Sequence, residues 1–314
     1  MPAKSTKRAR ERAEERRRKN RNRGVFVVVL FAILIALLFY LFKVILNDDP
    51  AGGGSSGPLF GWGGGSSADE GQGGSSGGAP SEGIELQDPG YPSYYDPALE
   101  ARYEAFAAAR GDLTEDEVYW MVGCDLDKDP YTDTQPVPDP ESYLMLVNKH
   151  YYLPEDFYPS DMVTVGATQM REEAAGNLND MIDAAAVEGL KLWAQSGFRS
   201  YGLQVDLYNK YAASDGSEAA DTYSARAGYS EHQTGLTVDL NTITDAFGDT
   251  AEGQWVKEHA HEYGFIIRYT EENTDVTLYK YEPWHIRYIG IEAATRMHDE
   301  GIASFEEYWV KYVK

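Results

Sequence analysis

Two histidines and two carboxylates in the C-terminal half of this 314-residue chain are spaced as a hydrolytic metal site would need them. In Ser230-Glu-His232-Gln-Thr-Gly235-Leu-Thr-Val-Asp239, a histidine and an aspartate lie seven positions apart, at the mouth of the short apolar run 236–240. A polar loop feeding such a run reads as a loop entering a buried strand, so both side chains can face one pocket. Taken alone, such a pair more often forms only a structural hydrogen bond than a metal site. Glu282-Pro283-Trp284-His285 follows at the end of an aromatic stretch, where proline keeps Glu282 extended, on a strand end or loop. His232, Asp239 and His285 together supply two imidazoles and a carboxylate. Three such ligands leave tetrahedral zinc one open position, as in a catalytic rather than a structural site. Glu282 is then the candidate base, since a positioned carboxylate can take a proton from water during attack on a carbonyl.

Composition excludes several other chemistries. The net charge is -23, yet residues 1–23 carry eleven Lys/Arg against three Asp/Glu, while 16 Lys/Arg face 48 Asp/Glu from residue 44 onward. So acidic a main body is a poor partner for nucleic acid, which is bound through Lys/Arg on phosphates. The lone Cys124 excludes an intrachain disulfide and a four-cysteine zinc site. Asp125, Asp127 and Asp129 lack the later glycine and glutamate of a calcium loop. Ser230 and His232 have no nucleophile-elbow Gly-x-Ser-x-Gly around them, which argues against a serine hydrolase.

Five segments are expected to position this chemistry. Residues 1–24 form a basic segment, and 25–46 an apolar run long enough to cross a bilayer as a helix. The apolar core is too long for a cleavable signal peptide, and the basic flank places the N-terminus in the cytoplasm and the rest outside. Residues 47–90 form a tether, with 21 Gly or Ser among the 34 residues 50–83 and a random-coil span of roughly 30 to 35 Å. Residues 91–140 read as a helical preamble, with a Thr114-x-x-Glu117 capping box.

The main domain, 141–314, is expected to be α+β, a small antiparallel sheet flanked by helices. Strands are expected at 144–147, 265–269 and 277–281, a strand and turn at 192–200, and helices at 171–190, 201–211, 251–263, 291–300 and 305–313. His261 is expected beside the site, His259 on the surface, and Tyr279, Tyr281, Tyr288 and Trp284 in the core and pocket wall.

The motif Ser230-x-His232-x6-Asp239 followed by Glu282-x-x-His285 resembles the signature of the VanY-type D-alanyl-D-alanine carboxypeptidases, zinc enzymes that trim peptidoglycan stem peptides and include L,D-carboxypeptidases. The likeness extends over Leu146-Val-Asn-Lys149, Leu153-Pro-Glu-Asp156, Ser196-Gly-Phe-Arg-Ser-Tyr201, Gly228-Tyr-Ser-Glu-His-Gln-Thr-Gly235, Tyr263-Gly-Phe265 and Tyr281-Glu-Pro-Trp-His285, which is most of 141–314. The resemblance implies zinc held by His232, Asp239 and His285, with Glu282 as general base. It places Arg199 and Gln204 against the substrate near its scissile bond and C-terminus, and Ser230 close to the substrate. Trp284 is the aromatic expected to touch substrate. Thr237 departs from the family, which usually has alanine there. For Arg199 a structural arginine, for Gln204 a helix-surface role and for Ser230 a turn cap remain open. The expected activity is removal of a C-terminal D-alanine by a membrane-anchored enzyme outside the cell. An endopeptidase, or a non-catalytic zinc-stabilised wall-binding module, remains open.

Overall fold

A computed structural model describes residues 90–314; the basic segment, the expected membrane span and the tether up to residue 89 lie outside the described residues. Among the described residues, no helix is long and apolar enough to cross a membrane. Two helices come first, α1 (Glu100–Ala109) and α2 (Glu115–Gly123). Thr114 starts α2 through the expected reciprocal bonds with Glu117. A hairpin follows, β1 (Met162–Val165) and β2 (Thr168–Arg171), which leads into α3 (Glu172–Val187). β3 (Ala194–Ser196) is followed by α4 (Tyr201–Asp215), whose first turn is capped by the Ser200 hydroxyl, and by β4 (Thr237–Leu240). Helix α5 (Ala251–His259) continues as a 3-10 turn to Gly264, whose left-handed φ of 80° ends it. The chain closes with β5 (Phe265–Tyr269), β6 (Glu282–Tyr288), α6 (Ile291–Glu300) and α7 (Phe305–Tyr312).

The four strands β3-β4-β6-β5 form one antiparallel sheet, the small sheet expected from the sequence. The buried face of α3, with Ala174, Leu178, Met181 and Ala185, belongs to the same core as Val238, Leu240 and Ile286 of the sheet. Trp120, Met121 and Cys124 of the preamble belong to this core too.

Two expected strands are absent. Residues 144–147 are mostly buried but irregular: Asn148 accepts from the His150 and Tyr151 amides, and Arg287 donates to the Tyr143 and Met145 carbonyls, so side chains replace a strand partner. In 277–281 the backbone turns left-handed at Leu278, φ 58°, which ends any extended run, and the strand begins only at Glu282. The β1–β2 hairpin was not expected; Gly166, φ 59°, marks its turn.

Candidate metal centre and active site

Strand pairing brings the distant motif halves together. Asp239 on β4 lies directly opposite His285 on β6, and facing residues of an antiparallel pair have neighbouring side chains. His285 Nδ1 is 3.4 Å from Asp239 Oδ1. His232 comes from the 3-10 turn Glu231–Thr234, which Gly235 ends at φ 69°. A Cβ on Gly235 would lie 2.7 Å from Met162 Sδ, so both conformation and close packing call for glycine here. The reversal sets His232 Nε2 3.3 Å from Asp239 Oδ2. One donor atom from each of the three residues lies within 4.8 Å of the others, and all three are buried.

Glu282 joins them through an irregularity. Strict strand alternation would send residues 282 and 285 to opposite faces. The pairing of β5 with β6 shifts between Ile267↔Ile286 and Tyr269↔Glu282, so three β6 residues lie opposite Arg268 alone. Such a bulge re-aims a side chain, and Glu282 Oε2 ends 3.5 Å from His285 Nδ1.

The nitrogens facing away from the centre are committed. His232 Nδ1 donates to the Gly197 carbonyl at 2.7 Å. That carbonyl approaches because a Cβ at residue 197 would fall 2.6 Å from the Gln169 oxygen. His285 Nε2 faces Glu231 Oε2 at 3.4 Å. Each imidazole therefore offers its other nitrogen to the centre, the outer support typical of metal-bound histidines. Asp239 Oδ1 is buried without a hydrogen-bond partner, a lone pair that a cation would satisfy. Two imidazoles and a carboxylate so arranged fit zinc.

Electrostatics separate the surrounding groups. Burial pushes the Glu282 carboxyl up to about 7, with Asp239 adding to this and His285 and Arg199 opposing it. Burial alone would lower His285, but Asp239, Glu231 and Glu282 raise it to about 9. Burial and the nearby Arg199 hold His232 below the usual histidine range. Asp239 stays well below the carboxylate range because His232 and His285 outweigh the burial penalty. Without a metal, His285 is thus the point at which three carboxylates attract positive charge.

A cavity of about 270 Å³ opens onto these groups and is also lined by Arg199, Gln204, Ser230, Tyr279, Tyr281 and Trp284. Gln204 is buried rather than on a helix surface: its Oε1 accepts from Arg199 Nη1 at 2.8 Å and its Nε2 donates to the Ala225 carbonyl. Ser230 makes no side-chain cap bond to the following turn. Thr237 is fully buried with an unpartnered hydroxyl. His261 stacks on His298 with ring centroids 3.6 Å apart, in a groove of about 810 Å³ that adjoins the cavity through the shared Asp245 and Tyr281. That groove is larger but holds no cluster of metal-ligating side chains, so donor geometry rather than size identifies the site.

The sequence reading missed Glu231, Arg268, Arg287 and Glu306, all buried around the far side of His285. A signal was present: Phe-Ile-Ile-Arg268-Tyr and Trp-His-Ile-Arg287-Tyr each carry one arginine inside an apolar strand, and a buried charge requires a partner.

A four-stranded antiparallel sheet presenting two imidazoles, a carboxylate and a free glutamate in a cleft defines a metallohydrolase-type centre. The model of the D-alanyl-D-alanine carboxypeptidase family VanY matches residues 167–291. YodJ of Bacillus subtilis, provisionally named a carboxypeptidase, is 41% identical over 57% of this chain and 71% of its own. A D-alanyl-D-alanine carboxypeptidase of Enterococcus faecium is 32% identical over 54% of this chain, which spans 58% of that protein. A solved structure of the LdcB LD-carboxypeptidase aligns at 40% identity with a TM-score of 0.54, covering 57% of this chain and 91% of that one. The chain belongs to the VanY family of zinc metallocarboxypeptidases.

Proposed function

We propose that this protein is a membrane-tethered carboxypeptidase that removes a C-terminal D-alanine from peptidoglycan stem peptides outside the cell. The observation that carries this is the position of the Arg199 guanidinium, fixed by Gln204, in the same small cavity as His232, Asp239, His285 and Glu282. A carboxypeptidase must bind a terminal carboxylate beside its hydrolytic centre, and a guanidinium matches a carboxylate in geometry and charge. The apolar run 25–46 with its basic flank supports the anchoring, and the Gly/Ser tether supports reach into a substrate layer near the membrane.

His232 would hold the ion through Nε2, His285 through Nδ1 and Asp239 through its carboxylate. Bound zinc supplies Lewis acidity toward the scissile carbonyl and acidifies water. Glu282 takes a proton from the attacking water and returns it to the leaving amine, a role suited to a carboxyl poised near neutrality. Arg199 holds the terminal carboxylate and offsets the oxyanion. Ser230 and Trp284 form the wall against the leaving D-alanine.

Higher identity to the LD-carboxypeptidase than to the named D-alanyl-D-alanine enzyme favours the tetrapeptide stem over the pentapeptide. Incubating the full chain with tetrapeptide and pentapeptide muropeptides, with and without chelator, and following loss of alanine by mass tests both points. Chelator-sensitive loss from the tetrapeptide is expected. Loss only from the pentapeptide reverses the preference, and loss from neither overturns the assignment.

A further inference from the structure

Behind the metal centre, four charged side chains are sealed from solvent. Glu231 Oε1 accepts from Arg268 Nε and from Arg287 Nη1, each at 2.9 Å. Arg268 turns its other nitrogens onto Glu306 of α7, Nη1 to Oε2 at 3.0 Å and Nη2 to Oε1 at 2.6 Å. Asn148 Nδ2 also donates to Glu306 Oε1, at 3.3 Å. The side chains of Arg268, Arg287, Glu231 and Glu306 are at most 1% exposed. Two guanidinium groups and two carboxylates balance, as a dry cluster must.

The division of labour within the cluster matters for the site. Oε1 of Glu231 carries both arginines, which leaves Oε2 to face His285 Nε2. Glu306 binds the Arg268 fork bidentately and so takes up most of that guanidinium's charge. Were Glu306 neutral, Arg268 would have Glu231 as its only anion, and the glutamate would become a poorer acceptor for His285.

We propose that Glu306, on the C-terminal helix, is a positioning residue for the metal centre, acting through Arg268 and Glu231 to fix the orientation of His285. Helix α7 lies outside residues 167–291, the stretch matched by the family model. The proposal rests on His285 being a metal ligand.

The test measures zinc affinity of the full chain by competition with a chromogenic chelator, alongside near-UV circular dichroism and the urea midpoint of the zinc-free protein. Loss of a direct partner of a metal-bound histidine typically costs about 10- to 100-fold in affinity; two links further out, beyond Glu231 and Arg268, Glu306→Gln is expected to cost about 3- to 10-fold. Arg268→Lys keeps the charge but cannot fork between two carboxylates, and is expected to weaken zinc similarly. Glu307→Gln, on the same helix but paired with Lys311, should leave affinity unchanged. If Glu306→Gln and Arg268→Lys fold and bind zinc within twofold of wild type, even with lowered urea midpoints, the proposal fails. If only one folds, it decides alone; if neither folds, the cluster is a requirement of the fold and the assignment is withdrawn. Absence of zinc binding by the wild-type chain would instead sink the metal assignment itself.

Discussion

Glu231 and Glu282 are the same residue type on two sides of one histidine, in opposite electrostatic surroundings. Glu231 lies behind His285 with two arginines on one of its oxygens, and they hold its carboxyl well below the usual range despite complete burial. Glu282 lies in front, in the cavity, with no arginine in hydrogen-bond contact, and burial lifts it to about 7. Desolvation raises both; the number of adjacent guanidinium groups decides which stays an anion. One carboxylate is a fixed charge that orients a ligand, and the other can exchange protons near neutral pH. Environments that push the pKa values of paired carboxylates apart assign their roles.

The sharpest test of this division is to neutralise each in turn. Glu282→Gln keeps the shape and removes the base. General-base catalysis contributes about 10²- to 10⁴-fold, so alanine release should fall by about 10³-fold, while zinc content by atomic spectroscopy stays at wild-type level. Retained turnover would show that the front carboxylate is not the base.

Glu231→Gln should give the reverse pattern, losing metal and stability together. Breaking a buried ion pair by removing one partner costs about 3 to 5 kcal/mol, and here it leaves Arg268 with Glu306 alone and Arg287 with backbone carbonyls only. Zinc affinity should drop about 10- to 100-fold, with turnover partly restored by excess zinc. A variant that binds zinc normally yet is inactive would mean the two glutamates had been assigned the wrong way round.

Legibility from sequence followed the same front-to-back line. The front of the site could be read because His232, Asp239, Glu282 and His285 stand in short, ordered motifs, and the small antiparallel sheet because its apolar runs at 236–240 and 265–269 are bounded by turns. The back depends on contacts between residues 231, 268, 287 and 306, which strand pairing and the last helix bring together and no local periodicity announces. Strand boundaries failed where side chains override the pattern. Arg287 and Asn148 satisfy the backbone of 143–151, and the left-handed Leu278 breaks an aromatic run that otherwise reads as a strand. The placement of Glu282 depends on the β6 bulge, which propensity does not reveal.

The smallest expected effect is a pH signature of Glu282 in the zinc-free protein. Its folded pKa, about 7, lies above the ordinary 4.5, so the folded state holds the proton more tightly than the unfolded chain. The associated stability is complete below pH 4.5 and is lost as pH rises through about 7. That gap corresponds to at most about 3 kcal/mol, or about 6 to 12 °C in Tm for a domain of this size. Glutamine has no proton to lose. In chelator, the Tm of Glu282→Gln relative to wild type should therefore climb between pH 4.5 and 7. The same scan on Glu231→Gln should show no such climb, because the arginines keep Glu231 ionised throughout that window. A difference for Glu282→Gln that is flat from pH 4 to 9 would place its carboxyl in an ordinary, solvated environment and remove the contrast between the two glutamates.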